Sequence, residues 1–309
     1  VVSPSRPHAL FSFGTLLDER VQTKLFGQAV PRFPAALAGY ATRPLRITDP
    51  DVVATSGLEV HLTLTREIGA EVEGAVLHLT DDDLAAADAY EVDDYVRRRV
   101  RLTSGETAWA YVDARPLRPA ARIVIAGDSI AYGRCDPSGG WAARLASEHL
   151  AANETDHRVF NVAIPGSSLD DVREQLPALL PARLPDTLVV AAGINDSARP
   201  DSGDGWLADV ADNLEALART AMKHNARLVV LGPTWVDEPN APVYGELRFT
   251  LARAEALRES VRAWCAANHI DHIDMWDALR DRPDLLADGL HPTPEGHRVL
   301  HGHLTALAR

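Results

Sequence analysis

The chain has 309 residues, about twice the size of an ordinary domain, so two domains with separate cores are expected. Hydrophobic residues make up 46% and charged residues 24%, a globular composition that excludes a largely disordered, collagen-like or coiled-coil chain. The formal net charge is -13 and both halves are acidic, which repels phosphate backbones and anionic headgroups; neither nucleic acid nor a membrane is an expected partner.

Short strands are expected in the first half at 8–13, 36–40, 61–65, 73–79, 96–102 and 107–112. Two helices interrupt them, over 17–26 and 81–90, the second opened by a cap at Thr80. Strands outnumber helices, so this half reads as an α+β sheet or small barrel. The proline-bearing stretch 113–121 has no apolar period and reads as a linker over 115–121, between domains 1–114 and 122–309.

After the linker the pattern becomes strict alternation. Apolar strands at 123–126, 159–164, 188–192, 228–231 and 270–275 are separated by amphipathic stretches, the clearest at 206–224 and 246–268. Near-continuous apolar strands joined by helices describe a parallel sheet covered on both faces, with reactive groups beyond the carboxyl ends of its strands. The longest apolar runs, such as 188–192, are far short of a bilayer span. The first residues lack the apolar stretch of a signal peptide, while a start at Val1 leaves a removed leader open. Cys135 and Cys265 are too few for a disulfide scaffold or a cysteine-based zinc site, and a reduced cytosol is the simplest compartment. Cys265 falls on the apolar stripe of a helix and reads as a buried small hydrophobe; Cys135 reads as structural.

Gly127-Asp128-Ser129 stands beyond the first strand of the second half. Asn161 and Gly166 follow the second strand, Gly193-Ile-Asn195-Asp196 the third, and Asp288-Gly-Leu-His291 lies near the C terminus. A serine hydroxyl needs a base within hydrogen-bond reach and a third group to hold that base in the right tautomer. His291 suits the base and Asp288 its orienter, because three residues in one tight turn bring a carboxylate to the ring. The backbone N–H groups of Ser129 and Gly166 and the side-chain amide of Asn195 suit an oxyanion hole. His297, His301 and His303 crowd the last helix; with no accompanying acidic or cysteine signature they read as an exposed helix face, and no metal or cofactor is expected. The loop 235–244, with two prolines, reads as a pocket mouth or a plain connector.

In this order, Gly-Asp-Ser, the block Gly, Gly-x-Asn-Asp and Asp-x-x-His resemble the SGNH (GDSL-type) hydrolases over about residues 121–309. The resemblance implies a three-layer α/β/α flavodoxin-like parallel sheet. It also implies metal-free hydrolysis of small-molecule esters through an acyl-serine intermediate, with Ser129, Gly166, Asn195 and His291 as the family's four named residues.

In the first half, Phe11-Ser-Phe13-Gly14-Thr15-Leu16-Leu17 ends a strand and starts a helix, a geometry whose backbone N–H groups can cradle an anion. The segment 88–97 carries four carboxylates, Asp88, Glu91, Asp93 and Asp94, around Tyr90 and Tyr95, which by composition alone reads as a solvated acidic turn. Together with Leu37-Ala-Gly39-Tyr40 and Val72-Glu-Gly74, these segments resemble the gamma-glutamylcyclotransferase-like (AIG2-like) family over about residues 8–114. Phe13 stands where the family's motif opens with Tyr. The resemblance implies a small barrel, Glu91 as the catalytic glutamate, and substrate contacts from Phe13, Gly14, Thr15, Leu16 and Tyr95. The reaction it implies is closure of a γ-glutamyl amide onto itself, releasing 5-oxoproline and an amine.

The expected protein is a bifunctional enzyme acting on ester and γ-glutamyl amide substrates. Three alternatives stay open: a first half that only binds, a serine site that passes its acyl group to an acceptor other than water, and two inactive sites.

Overall fold

The structure is a computed structural model that describes residues 5–46, 60–199 and 205–309. The chain divides into two compact units, Val1–Pro119 and Ala120–Arg309.

The first unit is built on a five-stranded sheet of β1 (His8–Ser12), β2 (Arg32–Arg46), β3 (Val60–Leu79), β4 (Tyr95–Arg101) and β5 (Thr107–Asp113), in the order β2-β3-β1-β5-β4. Among the described residues only the β1–β5 pairing is parallel. The helices described there are α1 (Glu19–Phe26) and α2 (Asp81–Tyr90). Thr80 caps α2 as expected, its hydroxyl accepting from the Asp83 N–H while Asp83 accepts from the Thr80 N–H. Side-chain alternation sorts the sheet into two faces: Leu10, Leu77 and Tyr111 pack with helix residues Val21, Leu84 and Ala87, and their neighbours Phe11, Val76, Ala110 and Val112 gather on the other face. The separate strands expected at 61–65 and 73–79 form one strand, β3; its pairing with β2 shifts register between Ala38 and Tyr40, where Glu67–Ala70 of β3 stand opposite Gly39 and take up the extra length as a bulge. The edge strands approach where the Thr103 N–H donates to the Ala36 carbonyl at 3.0 Å, just beyond β4, so the sheet curls over its own apolar face.

The second unit carries β6 (Arg122–Gly127), β7 (Arg158–Asn161), β8 (Thr187–Ala191), β9 (Arg227–Leu231) and β12 (Asp271–Ile273), all parallel, in the order β12-β9-β8-β6-β7. Numbered within the unit this is 2-1-3-4-5, the flavodoxin-like order, whose reversal between β6 and β8 opens a crevice at their carboxyl ends. Val124 and Ala126 of β6 face a core shared with α5 (Leu169–Leu179), α7 (Trp206–Lys223) and α8 (Leu251–Asn268). Ile123 and Ile125 point the opposite way and are equally buried, so that face is covered too; α4 (Gly140–Ala152) packs on α9 (Pro294–Ala308) and on β7. Two short helices, α3 (Ser129–Tyr132) and α6 (Ile194–Ala198), follow β6 and β8.

In the second unit three boundaries depart from the expected ones by two residues or more. β7 stops at Asn161, whose side chain leaves the sheet to donate to the Ala131 carbonyl (2.9 Å) and accept from the Ala163 N–H (3.1 Å). β12 is likewise shorter than 270–275. α8 starts at Leu251, capped by Thr250, because residues before it form a small hairpin of β10 (Val243–Tyr244) and β11 (Leu247–Arg248). The exposed histidine face expected on α9 is corrected. His297 is fully buried, with Nε2 on the Arg134 carbonyl at 3.0 Å and Nδ1 facing the Trp141 N–H, so both nitrogens are engaged in joining α9 to the α3–α4 connection. His301 is also buried, and His303 reaches the Asp274 carbonyl at 2.8 Å. Cys265 is buried as expected, and Cys135 is exposed in a left-handed turn. No helix among the described residues is long and apolar enough to cross a membrane.

Candidate active sites

Ser129 owes its position to the residue before it. The Asp128 side chain accepts from the Ile130 N–H at 2.9 Å, which starts α3 with Ser129 as its first residue. Gly127 admits the crossing of β8 at this point: a Cβ there would lie 2.3 Å from the Ala191 carbonyl oxygen. The Asp128 N–H donates to that same carbonyl, tying the serine turn to the end of β8. Burial pushes the Asp128 carboxyl up to about 7.

Hydrogen bonds draw the other segments to this turn. The Ile164 N–H donates to Gly127 O at 3.0 Å, and the following turn places Gly166 at φ +87°, a conformation that costs a residue with a Cβ about 1–2 kcal/mol. Asn195, in α6, donates its side-chain N–H to the Ser167 carbonyl at 2.9 Å, which leaves a second amide hydrogen. Among the described residues, no acceptor faces the backbone N–H of Ser129 or Gly166.

The Asp288–His291 loop closes the set. Asp288 Oδ1 accepts from the backbone N–H groups of Leu290 and His291, and Oδ2 lies 2.8 Å from His291 Nδ1. His291 Nε2 lies 2.8 Å from Ser129 Oγ. With Nδ1–H facing the carboxylate, Nε2 accepts from the serine hydroxyl. Burial lowers the imidazole pKa, aided by the positive charge of Arg134 and opposed by Asp288, so the ring is neutral and basic near neutrality. Burial alone would raise the Asp288 carboxyl; its hydrogen bonds with the His291 and Leu290 N–H groups and with the imidazole outweigh that, and its pKa is lowered. The loop 235–244 braces this arrangement: the Asp237 N–H donates to the Gly289 carbonyl at 2.9 Å, and Tyr244 sets its ring edge-on to His291, centroids 6.4 Å apart. Such a set can deprotonate a hydroxyl for attack on an acyl carbon and meet the resulting oxyanion with fixed donors.

The resemblance in the first unit also gathers in space. Phe13, Gly14, Thr15, Leu16, Glu91, Tyr95 and Tyr111 line one cavity of about 50 Å³. Glu91 caps the C-terminal end of α2, and burial, with a smaller push from the Asp88 charge, raises its carboxyl to about 7. Asp88 is itself held by Arg97 through two hydrogen bonds (2.8 and 3.0 Å) and by the Tyr111 hydroxyl (2.8 Å). Asp93 and Asp94 are exposed, so the solvated acidic turn describes those two residues and not Glu91. The Tyr95 hydroxyl is buried near Thr63 but outside hydrogen-bonding geometry. The Thr15 and Leu16 N–H groups have no acceptor among the described residues.

Residues 125–299 match the sequence model of the GDSL-like Lipase/Acylhydrolase family. The chain belongs to that family. Residues 10–129 match a second model, Gamma-glutamyl cyclotransferase, AIG2-like. A lipase/acylhydrolase from Enterococcus faecalis shares the fold, at 22% identity and a TM-score of 0.50 over 60% of this chain and 95% of its own. An acetylxylan esterase from Geobacillus stearothermophilus aligns at 19% identity over 61% of this chain and 94% of its own, with a TM-score of 0.49. No curated protein matches the sequence.

The protein therefore contains a GDSL-like lipase/acylhydrolase domain and a region similar to the AIG2-like cyclotransferases. Within the GDSL domain, sequence reasoning missed four residues that shape the site: Asp128 as cap, His297 as brace, and Arg134 with Tyr244 beside the imidazole. The cap was legible, since Asp is a preferred N-cap residue ahead of a short helix. The other three carry no local signal, because their contacts join segments far apart in the chain.

Proposed function

We propose that the protein is a bifunctional enzyme: a serine esterase working through an acyl-Ser129 intermediate, joined to a γ-glutamyl amine cyclotransferase. The observation that carries the first activity is the unbroken chain from Ser129 Oγ through His291 to Asp288, with both contacts at 2.8 Å. In this reading His291 takes the hydroxyl proton as Ser129 attacks the ester carbonyl. The Ser129 and Gly166 N–H groups and the Asn195 amide receive the oxyanion. His291 then gives the proton to the leaving alcohol, and water repeats the sequence to release the acid.

In the first unit, Glu91 takes a proton from the α-ammonium of a γ-glutamyl amide. The freed amine attacks its own γ-carbonyl, and the same carboxyl returns the proton to the departing amine. The nucleophile is already tethered, so much of the entropic cost is met by the substrate itself. A carboxyl held at about 7 suits both transfers, and the unpartnered Tyr95 hydroxyl and the free N–H groups at Thr15 and Leu16 suit the substrate's polar groups. We read the curled sheet as the small barrel of this fold, and the pairing of activities as stepwise unmasking of one small metabolite.

Ser129→Ala and Glu91→Gln, assayed separately on an aryl ester and a γ-glutamyl amine, test both halves. Each substitution is expected to abolish one activity and spare the other. Loss of neither activity with Glu91→Gln, combined with loss of ester affinity when the first unit is removed, would replace the cyclotransferase with a binding module.

A further inference from the structure

Arg134 is fixed at its backbone and unpaired at its tip. Its N–H donates to the Ser129 carbonyl at 2.9 Å, and its own carbonyl accepts from His297 Nε2 at 3.0 Å, so the residue is tied directly to the nucleophile's turn. Its side chain is exposed and, among the described residues, the guanidinium has no hydrogen-bond or ion-pair partner. By contrast Arg144, ten residues on, is paired with Asp136 at 3.1 Å, and Arg227, Arg258, Arg262 and Arg298 all meet carboxylates. The Arg134 guanidinium instead rests over the Tyr244 ring, 5.4 Å from its centroid. Tyr244 is set in turn by the buried Phe249, edge-on at 6.3 Å, and stands beside His291.

This places a positive charge on one side of the site. In the proposed reaction the ester C–O bond breaks as His291 Nε2 hands its proton to the leaving oxygen, so the leaving alcohol departs on the imidazole side. Tyr244 and Arg134 flank that side, while Gly166 and Asn195 serve the carbonyl oxygen. A guanidinium offers a carboxylate two parallel donors. Resting on its ring, Arg134 also forgoes less freedom on binding than a fully mobile side chain would.

We propose that Arg134, presented by Tyr244, selects esters whose leaving alcohol carries an anionic oxyacid group. The inference rests on the serine esterase reading and adds a substrate class to it.

The test uses the full chain and two matched pairs of substrates. 3-Acetoxybenzoate and its methyl ester differ in charge on the leaving group; monophenyl succinate and methyl phenyl succinate differ in charge on the acyl side. For the first pair the anionic-to-neutral ratio of kcat/KM is expected to be at least fivefold at low salt, chiefly through KM, and to shrink in 0.5 M NaCl. In Arg134→Gln the ratio should drop toward one, and Arg134→Lys should recover part of it. The ratio for the acyl-side pair should not respond to either substitution. A wild-type ratio near one, a ratio unmoved in Arg134→Gln, or an Arg134-dependent preference confined to the acyl-side pair would overturn the proposal. Salt dependence of the wild-type ratio keeps the test open if a variant folds poorly. Absence of Ser129-dependent turnover for all four esters would sink the esterase reading itself, a result distinct from neutral turnover without charge preference.

Discussion

His291 Nε2 meets Ser129 Oγ at 2.8 Å across 162 residues of chain, and both side chains are buried. The contact depends on β6 and β12-side segments reaching one rim of a parallel sheet, and on a neutral imidazole. It defines how activity should respond to pH.

In the proposed mechanism ester hydrolysis needs His291 unprotonated, and burial lowers its pKa. The acid limb of kcat/KM on a neutral aryl ester is therefore expected below pH 6.5. The proposed cyclotransferase step needs the Glu91 carboxylate, so its acid limb should fall near pH 7. Coincident limbs for the two activities would contradict the separate assignments.

Asn195→Ala removes an amide donor and also frees the Ser167 carbonyl it holds. The expected effect is about a 10²–10³-fold loss in kcat with a much smaller change in KM, since the donor acts on charge that develops in the transition state. Asp288→Asn leaves a partner at Nδ1 but no negative charge, and should lower kcat by about 10²–10⁴-fold. Steady-state kinetics on an aryl ester measure both.

Glu91 also carries a pH-dependent cost to the fold. Its folded pKa, about 7, lies above the ordinary glutamate value of 4.5. Below pH 4.5 the carboxyl is neutral in both states and burial costs no charge. Between pH 4.5 and 7 the unfolded chain gives up this proton while the folded protein keeps it, so stability falls across that interval and levels off above pH 7. Glu91→Gln should thus raise the melting temperature of the first unit at pH 8 and leave it nearly unchanged at pH 4. The expected gain at pH 8 is on the order of 1–3 kcal/mol. Equal shifts at both pH values in thermal melts would contradict the buried charge.

Arg227 and Asp271 join β9 to β12 through a two-pronged ion pair, 2.5 and 2.8 Å, with side-chain exposures of 9% and 5%. Asp271→Ala removes the carboxylate from a buried guanidinium and should cost about 3–5 kcal/mol. Replacing both residues with apolar side chains should recover much of that loss. The urea midpoint for esterase activity in the full chain reads the effect, and a single variant as stable as the double one would contradict it.

The two-part organisation, the alternation of strands and helices in the second half, the Thr80 cap and the blocks that carry Ser129, Asn195 and His291 are all legible in the order of residues. Those features are written locally: period-2 and period-3.6 burial, capping oxygens and turn glycines act over a few residues, so a short window reveals them. Only packing shows that Asp88 is paired with Arg97 while Glu91 is the carboxyl drawn out of water, that His297 is a brace inside the fold, and that Arg134 meets no carboxylate among the described residues. Proximity across distant segments and the removal of water from a charged group arise only when the elements pack, and neither leaves a trace in the spacing of residues along the chain.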